Sequence, residues 1–390
     1  MAFTNPRSCL LAGLAITAVT TAADFQEASD NDCDCFVING TDVQYFQSHK
    51  FYDFRSLSQH VNVPEPINDP KDSSSAPLAS DYFKNSPWTD QWGTQTWNNT
   101  GNIQEGEAKL LMVNSASNVY IEKNKDPNPA SDTFLTMRTQ RMDNFQSAAE
   151  FESVPMSYHF LSARIYMRTI GAKGAIAAMF TYRKGRDDDP NLVQEADLEI
   201  RTIDPPDRIQ YTNQPSFSRN GETVSQATQN ATVPRSWEEW SVHRVDWNPK
   251  TTTWFVDGQQ VSQIAFQTPR DPSQVIFNMW SEGTSWTGNM TRGEAAYMQI
   301  QWIELLYNQT GDATTTSNGN VRHQLENKQL AKRKNKKDQC KNVCSVDESH
   351  KIGTAVLVAS DAASMFGGVS SLGLAAATFW ISLVTLFAIV

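Results

Sequence analysis

The chain has 390 residues and a formal net charge of −10, so we do not expect nucleic acid among its partners. Its length fits one large domain or two ordinary ones. Aromatic residues make up 10% of the chain and eleven of them are tryptophans, while glycine and proline are near average usage. This composition favours a globular, β-rich body.

The first 23 residues have the pattern of a secretory signal peptide. Arg7 precedes an apolar run from Cys9 to Val19, and small residues end the segment at Thr21-Ala22-Ala23. We therefore expect export into an oxidising compartment. Residues 24–79 then form an N-terminal leader segment, whose part from Val61 to Ala79 is rich in Pro, Asp and Ser and predicts a long surface loop.

The central part of the chain is predicted to consist of strands. Alternating or continuously apolar stretches occur at short intervals, and no helix-period stretch of useful length occurs outside the termini. An Asp257-Gly258 pair between strand residues is a strong hairpin signal. Residues 80–310 therefore predict one large all-β domain, a sandwich or a barrel. The predicted strand segments are Ser157–Thr169, Gly174–Tyr182, Trp240–Trp247, Thr252–Phe266, Gln274–Trp280 and Ala296–Tyr307.

Three carboxylates alternate with apolar residues between Leu192 and Ile203, namely Glu195, Asp197 and Glu199. On a strand they would share one face, with the Cα atoms of the two glutamates about 13 Å apart. Long side chains that lean inward bring the carboxyls much closer, and retaining glycosidases need two carboxyls about 5–5.5 Å apart. A solvated strand face or part of a calcium site remains the alternative.

Four motifs in order resemble those of the family-16 glycoside hydrolases, the laminarinase, lichenase and cell-wall transglycosylase group. One of them is Glu-x-Asp-x-Glu itself. Apart from these four motifs, the N-terminal segment from Cys33-Asp-Cys-Phe36 to Phe51-Tyr-Asp-Phe-Arg55 resembles that of secreted fungal members. The other three motifs are Tyr158-His-Phe-Leu-Ser-Ala-Arg164, the stretch from Trp240 through Asp246-Trp247-Asn-Pro to Trp254-Phe-Val-Asp257-Gly258, and Val275-Ile-Phe-Asn278-Met-Trp280 with Trp286.

The resemblance implies a concanavalin A-like jelly-roll of two curved antiparallel sheets. It also implies hydrolysis of β-1,3- or mixed-linked β-glucans by double displacement, without a catalytic cofactor. Glu195 would be the nucleophile, Asp197 its helper and Glu199 the acid/base. Transglycosylation with the same residues and non-catalytic glycan binding remain alternatives. The expected sugar contacts are Phe180, Tyr182, Asn278, Trp280 and Trp286. We also expect the protein to be a monomer and allow for a structural calcium ion.

Beyond residue 310 the composition becomes polar and then apolar. Residues 311–360 predict a polar and basic linker, in which Lys332-Arg333 is a candidate dibasic processing site. Residues 361–390 contain a long apolar stretch preceded by small residues. We expect a lipid-anchor signal there, with a transmembrane helix as the alternative, so the protein would be held by this tail to the membrane at the cell surface.

Cysteines and glycosylation sequons agree with export. Cys-x-Cys is too cramped for an easy local bridge, so we expect the N-terminal pair to bond the C-terminal pair. A zinc site is the alternative. Five Asn-x-Thr sequons should lie on the surface. The four cysteines of the mature chain are Cys33, Cys35, Cys340 and Cys344, and the sequons begin at Asn39, Asn98, Asn230, Asn289 and Asn308.

Overall fold

A computed structural model of the protein describes residues 25–40, 44–106, 108–310 and 340–360. The predicted signal peptide, the Lys332-Arg333 site, residues 311–339 of the predicted linker and the apolar tail lie outside these ranges. Within them, no helix has both the length and the apolar character to cross a membrane.

Strands account for most of the described residues. The first ten are β1 Gln26–Ala28, β2 Cys35–Ile38, β3 Gln44–Phe46, β4 Ser48–Asp53, β5 Trp92–Thr94, β6 Met112–Asn114, β7 Val119–Lys123, β8 Thr133–Arg141, β9 Gln146–Ser153 and β10 Tyr158–Gly171. The others are β11 Ile176–Arg183, β12 Gln194–Arg201, β13 Arg208–Gln214, β14 Thr228–Thr232, β15 Ser241–Trp247, β16 Thr252–Val256, β17 Gln259–Ile264, β18 Gln274–Trp280, β19 Ala295–Gln309, β20 Asn342–Ser345 and β21 Ala355–Ser360.

Helices in the described ranges are short and lie in connections. The two α-helices are α1 Trp88–Gln91 and α2 Thr100–Glu105. The 3₁₀ turns are Ser58–His60, Pro70–Ser75, Asp81–Lys84, Ala116–Asn118, Arg186–Asp188 and Pro190–Leu192.

The main body consists of two layers of antiparallel strands. One layer has the order β14-β13-β12-β11-β18-β9, and the other has the order β8-β19-β10-β15-β16-β17, with β4 paired to β19. The layers are joined where β8 pairs with β9 over two residue pairs. The prediction of an all-β jelly-roll sandwich is confirmed. β4, which lies within the predicted leader segment, pairs with β19 of the main body.

Apolar side chains of alternate residues fill the space between the layers. On β12, Ala196 and Leu198 are completely buried. Tyr211 of β13 packs against Trp254 of β16 in the opposite layer, with ring centroids 5.2 Å apart. The predicted hairpin joins β16 to β17 and turns at Asp257-Gly258, both with positive φ. Such a two-residue turn matches the twist of the strands that it connects.

A second, five-stranded sheet unites the two ends of the described chain in the order β1-β21-β20-β2-β3. Disulfides join Cys33 to Cys344 and Cys35 to Cys340, with Cα–Cα distances of 5.8 and 5.5 Å. Two strands of this sheet, β20 and β21, lie within the range that the sequence predicts as a polar linker. β20 is paired on both sides, in parallel with β2 beside the disulfides and antiparallel with β21.

A buried ionic cluster connects this second sheet to the main body. His49 lies between Asp30 and Glu304, with Nδ1 2.8 Å from Oδ1 of Asp30 and Nε2 3.1 Å from Oε1 of Glu304. Arg164 lies 3.5 Å from Glu304 and 2.8 Å from Asp347. Burial alone would lower the pKa of His49, but hydrogen bonds to the two carboxylates raise it to about 9. The imidazole is therefore a cation that neutralises the buried carboxylate of Glu304 and the exposed carboxylate of Asp30.

Candidate active site

The three predicted acids lie on one face of β12. Ala196 and Leu198, between them, point into the core. Asp197 is 2% exposed, whereas Glu195 and Glu199 are half-buried. The alternation of the sequence therefore produces a carboxylate face above an apolar one, as a half-buried strand requires.

The neighbouring strand β13 supplies an amide for two of the three acids. Gln210 donates from Nε2 to Oε2 of Glu199 at 3.1 Å. Gln214 donates from Nε2 to Oδ2 of Asp197 at 3.2 Å. Asp197 also shares a hydrogen bond with Glu195. These bonds fix the orientation of the carboxyl groups.

Burial raises the pKa of each of the three acids. It raises the pKa of Glu195 to about 7, although the hydrogen bond from Asp197 opposes the rise. Burial raises the pKa of Asp197 well above its usual range, and the charges of both glutamates raise it further. Burial and the charge of Glu195 raise the pKa of Glu199 to about 8, against the lowering effect of Gln210. The hydrogen bond between Asp197 and Glu195 lowers the pKa of Glu195 and raises that of Asp197, so Asp197 is the donor of this bond and Glu195 the acceptor.

The pKa of Glu195, about 7, is lower than that of Glu199, about 8, and this order fits acid-and-nucleophile chemistry. Such chemistry requires one carboxylate that is charged and a second that still carries its proton. Arg201 lies on the same face and forms two hydrogen bonds with Asp204, at 2.9 and 2.8 Å. Its charge limits the rise in the pKa of Glu199.

A cavity of about 400 Å³ lies over β11, β18 and β9, next to β12, and its lining includes none of the three acids of β12. Register explains its position, because Phe180 of β11 is opposite Asp197 and Ile276 of β18 is opposite Phe180. Four of the five predicted sugar contacts line it: Phe180, Tyr182, Asn278 and Trp280. The other lining residues are Trp97, Asn99, Asn102, Met112, Asn114, Glu150, Glu152, Gln274, Ile276 and Glu282.

The fifth predicted contact, Trp286, is outside the cavity wall. Its ring centroid is 6.1 Å from that of Trp280, and the guanidinium of Arg201 lies over it at 5.7 Å from the centroid. Trp286 therefore extends the aromatic surface from Trp280 to Arg201. Other tryptophans, such as Trp247 and Trp254, are buried core residues.

Sequence reasoning missed a second pair of acids on the floor of the cavity. Glu150 and Glu152 of β9 pair with Asn278 and Ile276 of β18. Trp97 donates a hydrogen bond from Nε1 to Oε1 of Glu150. Glu150 is 4% exposed, and burial raises its pKa to about 8 despite that bond. The alternation Ala149-Glu150-Phe151-Glu152 was an available signal, since it repeats the pattern of β12.

The remaining site predictions concern metals and glycans. No group of three or more His, Cys, Asp or Glu side chains in the described ranges is arranged to hold a metal ion. A structural calcium stays a prediction. The sequon asparagines Asn39, Asn98, Asn230 and Asn289 are exposed and Asn308 is half-buried.

Comparison with known proteins identifies a family. The sequence model of the family described as "Glycosyl hydrolases family 16" matches residues 107–304, just over half of the chain. A xylanase/β-glucanase of Ruminococcus flavefaciens is 24% identical over 60% of this chain and 26% of its own length. The β-glucanase of Bacillus subtilis is 23% identical over 38% of this chain and 58% of its own. The chain thus spans well under two thirds of the length of these relatives.

Solved structures of similar proteins were also found. The β-glucanase of Bacillus licheniformis aligns with a TM-score of 0.44 and 19% identity, over 58% of this chain and 96% of the other. The endo-β-1,3-glucanase of Pyrococcus furiosus aligns with a TM-score of 0.46 and 15% identity, over 71% of this chain and 99% of the other.

Proposed function

Because the chain belongs to glycosyl hydrolase family 16, we propose that it hydrolyses O-glycosyl bonds of a β-glucan by double displacement. The observation that carries the proposal is the face of β12, where burial raises the pKa of Glu195, Asp197 and Glu199 next to the strands that line a cavity of about 400 Å³. Such a combination of perturbed acids and a cleft is typical of an active site.

Each acid has a separate role in this mechanism. The ionised Glu195 attacks the anomeric carbon while Glu199 gives its proton to the departing glycosidic oxygen, so a glycosyl-enzyme ester forms. Asp197 donates a hydrogen bond that stabilises the carboxylate of Glu195 before attack. Glu199, now ionised, takes a proton from water as the water oxygen attacks the anomeric carbon and releases Glu195. Retention of configuration follows from the two displacements.

The cavity supports a sugar polymer as the substrate. Phe180, Tyr182 and Trp280 offer aromatic surfaces to the apolar faces of sugar rings, while Asn278 and Glu150 offer polar groups to hydroxyls. The β-glucanase names of the curated relatives support a β-1,3- or mixed-linked β-glucan.

We also propose that the protein is exported, glycosylated and held at the cell surface by its C-terminal tail. Two disulfides between the ends of the described chain support an oxidising compartment. Release from intact cells by a phospholipase that cleaves lipid anchors tests the anchor. If the protein stays in the membrane fraction after treatment, the alternative of a transmembrane helix is supported.

Product analysis tests the proposed reaction. Residues 24–360, which include both sheets, are secreted and incubated with laminarin, lichenan and chitin oligomers, and the anomeric form of the first product is measured. We expect β-glucan turnover with retention. Replacing Glu199 with Gln should reduce turnover of the polymers by orders of magnitude, whereas the exposed Glu222→Gln should not. Inversion would overturn the mechanism, and binding without turnover by the wild type would indicate a lectin-like protein.

The same incubation separates hydrolysis from glycosyl transfer. Added oligosaccharide acceptors that become extended at the expense of hydrolysis products would identify the protein as a transglycosylase. Products no longer than the starting oligosaccharides support hydrolysis.

A further inference from the structure

One glycosylation sequon lies on the face of the sheet that carries the acids. Asn230 of the edge strand β14 is directly opposite Gln210 of β13, and Gln210 in turn bonds Glu199. Directly opposed residues of antiparallel strands share a face. Thr228 confirms this parity, because its Oγ1 lies 3.2 Å from Oγ1 of Thr212, which pairs with Asp197.

The other face of β14 points away from the acids. Ala231 packs against the main core, and Gln229 bonds Ser262 and Gln263 of the opposite layer. Asn230 is exposed, and its side-chain amide has no hydrogen-bond partner among the described residues. By contrast, Nδ2 of Asn39 donates to Glu348 and Nδ2 of Asn308 donates to the carbonyl of Tyr45. The amide of Asn230 is therefore free to carry a sugar.

The position of Asn230 matters because the cavity occupies only one side of the acids. A glucan held in the cavity over β18 and β11 and crossing β12 must continue over β13 and β14. Two strand spacings separate Glu199 from Asn230, which is roughly 10 Å between Cα atoms. A glycan on Asn230 would stand in the path of the chain, just beyond the point of cleavage.

We propose that an N-linked glycan on Asn230 covers the β13–β14 side of the cleft and limits the length of glucan that lies across the carboxylates. This inference rests on the proposed function. The glycan makes the protein more effective on short or terminal segments of a glucan than on the middle of a long polymer.

Removal of the sequon tests the proposal in protein secreted from a eukaryotic host. Trypsin releases residues 220–235, which hold this sequon alone, so mass spectrometry reports its occupancy. Thr232→Ala and Asn230→Gln both remove the sequon, while Thr232→Ser keeps it and is the matched control. Turnover of laminarin or lichenan is then compared with turnover of short oligosaccharides of the same linkage.

The wild type and Thr232→Ser should be glycosylated at Asn230, and both sequon-free variants should show a several-fold rise in the ratio of polymer to oligosaccharide turnover. Enzymatic trimming of native wild type should raise the ratio in the same way. An unmodified Asn230 in the secreted wild type would overturn the proposal, as would an unchanged ratio. If neither the glycosylated protein nor the sequon-free variants turn over any β-glucan, the proposed function fails. Binding of polymer and of oligosaccharide is then measured for both. If the ratio of the two affinities is the same with and without the glycan, the steric claim is overturned.

Discussion

Gln210 donates a hydrogen bond from Nε2 to Oε2 of Glu199, at 3.1 Å across the β12–β13 pair. The bond stabilises the charged form of the acid and therefore lowers its pKa, whereas burial and the charge of Glu195 raise it. The balance of these effects leaves the pKa of Glu199 at about 8. Gln210 thus limits the pH up to which the proposed acid keeps its proton.

Replacing Gln210 with Met should move the alkaline limb of the pH–rate profile upwards. A hydrogen bond to a charged group contributes about 1.5–3 kcal/mol, and one pKa unit corresponds to about 1.4 kcal/mol, so we expect a shift of about one to two pH units. The measurement is kcat/KM on a soluble β-glucan from pH 5 to pH 10. Gln229→Met is the control, because Gln229 bonds the opposite layer. An unmoved limb in Gln210→Met would show that another group sets it.

Asp197 should act as a hydrogen-bond donor to Glu195 rather than as a charge. Asp197→Asn keeps a donor at this position and Asp197→Ala removes it. We therefore expect Asp197→Ala to lose roughly 100-fold or more in kcat, within the range for proton-transfer groups, and Asp197→Asn to lose clearly less. Equal losses in the two variants, measured at pH 6, would contradict a donor role.

Asp197→Asn should also change how the free energy of unfolding depends on pH. The pKa of Asp197 is raised in the folded protein, so the folded state binds more protons than the unfolded state, and this contribution to stability is lost as pH rises above the unfolded value near 4. Asp197→Asn does not titrate. Its free energy of unfolding relative to the wild type should therefore increase between pH 5 and pH 8, as measured by urea denaturation; a difference that stays constant would show that Asp197 ionises normally.

The sequence predicted the carboxylate face well because local alternation alone determines it. Each apolar neighbour, such as Ala196 or Leu198, must enter the core, and this fixes where Glu195, Asp197 and Glu199 point. The residues of β11 and β18 that line the cavity followed from the same parity. Trp286 did not, because it lies in a loop where alternation gives no direction.

The second sheet and the floor of the cavity depended on long-range pairing, which one sequence does not reveal. β20 is four residues long and lies between β21 and β2, and β2 is more than 300 positions earlier in the chain. Glu150 enters the cavity because β9 pairs with β18, although the two strands are far apart in sequence. The cysteines indicated that the chain ends meet, but not that they form a sheet.

Glu150→Gln should mimic the protonated form of the buried acid in the cavity. The pKa of Glu150 is about 8, because burial outweighs the hydrogen bond from Trp97, so the wild-type side chain is neutral at pH 6 and charged at pH 9. In a Glu199→Gln background, we expect Glu150→Gln to bind β-glucan oligosaccharides as the parent does at pH 6, and its affinity should change less than that of the parent between pH 6 and pH 9. The parent affinity should change between these pH values, which calorimetric titration measures.

The matched control for this comparison is Glu105→Gln, since Glu105 is exposed at the end of α2. It should leave affinity and its pH dependence as in the parent. If the parent and Glu150→Gln show the same pH dependence, titration of Glu150 has no part in sugar binding.

His49→Gln should destabilise the protein in neutral and mildly acidic solution and much less in alkaline solution. The pKa of His49 rises from 6.5 to about 9 on folding, because the bonds to Asp30 and Glu304 outweigh burial. Its contribution is fully present below pH 6.5 and is lost as pH rises through 9, and a shift of this size corresponds to a contribution on the order of 3 kcal/mol. Urea denaturation at pH 6 and pH 9.5 should show a large and a small difference from the wild type, respectively. The exposed His350→Gln is the control, and an equal difference at both pH values would mean that His49 is neutral in its cluster.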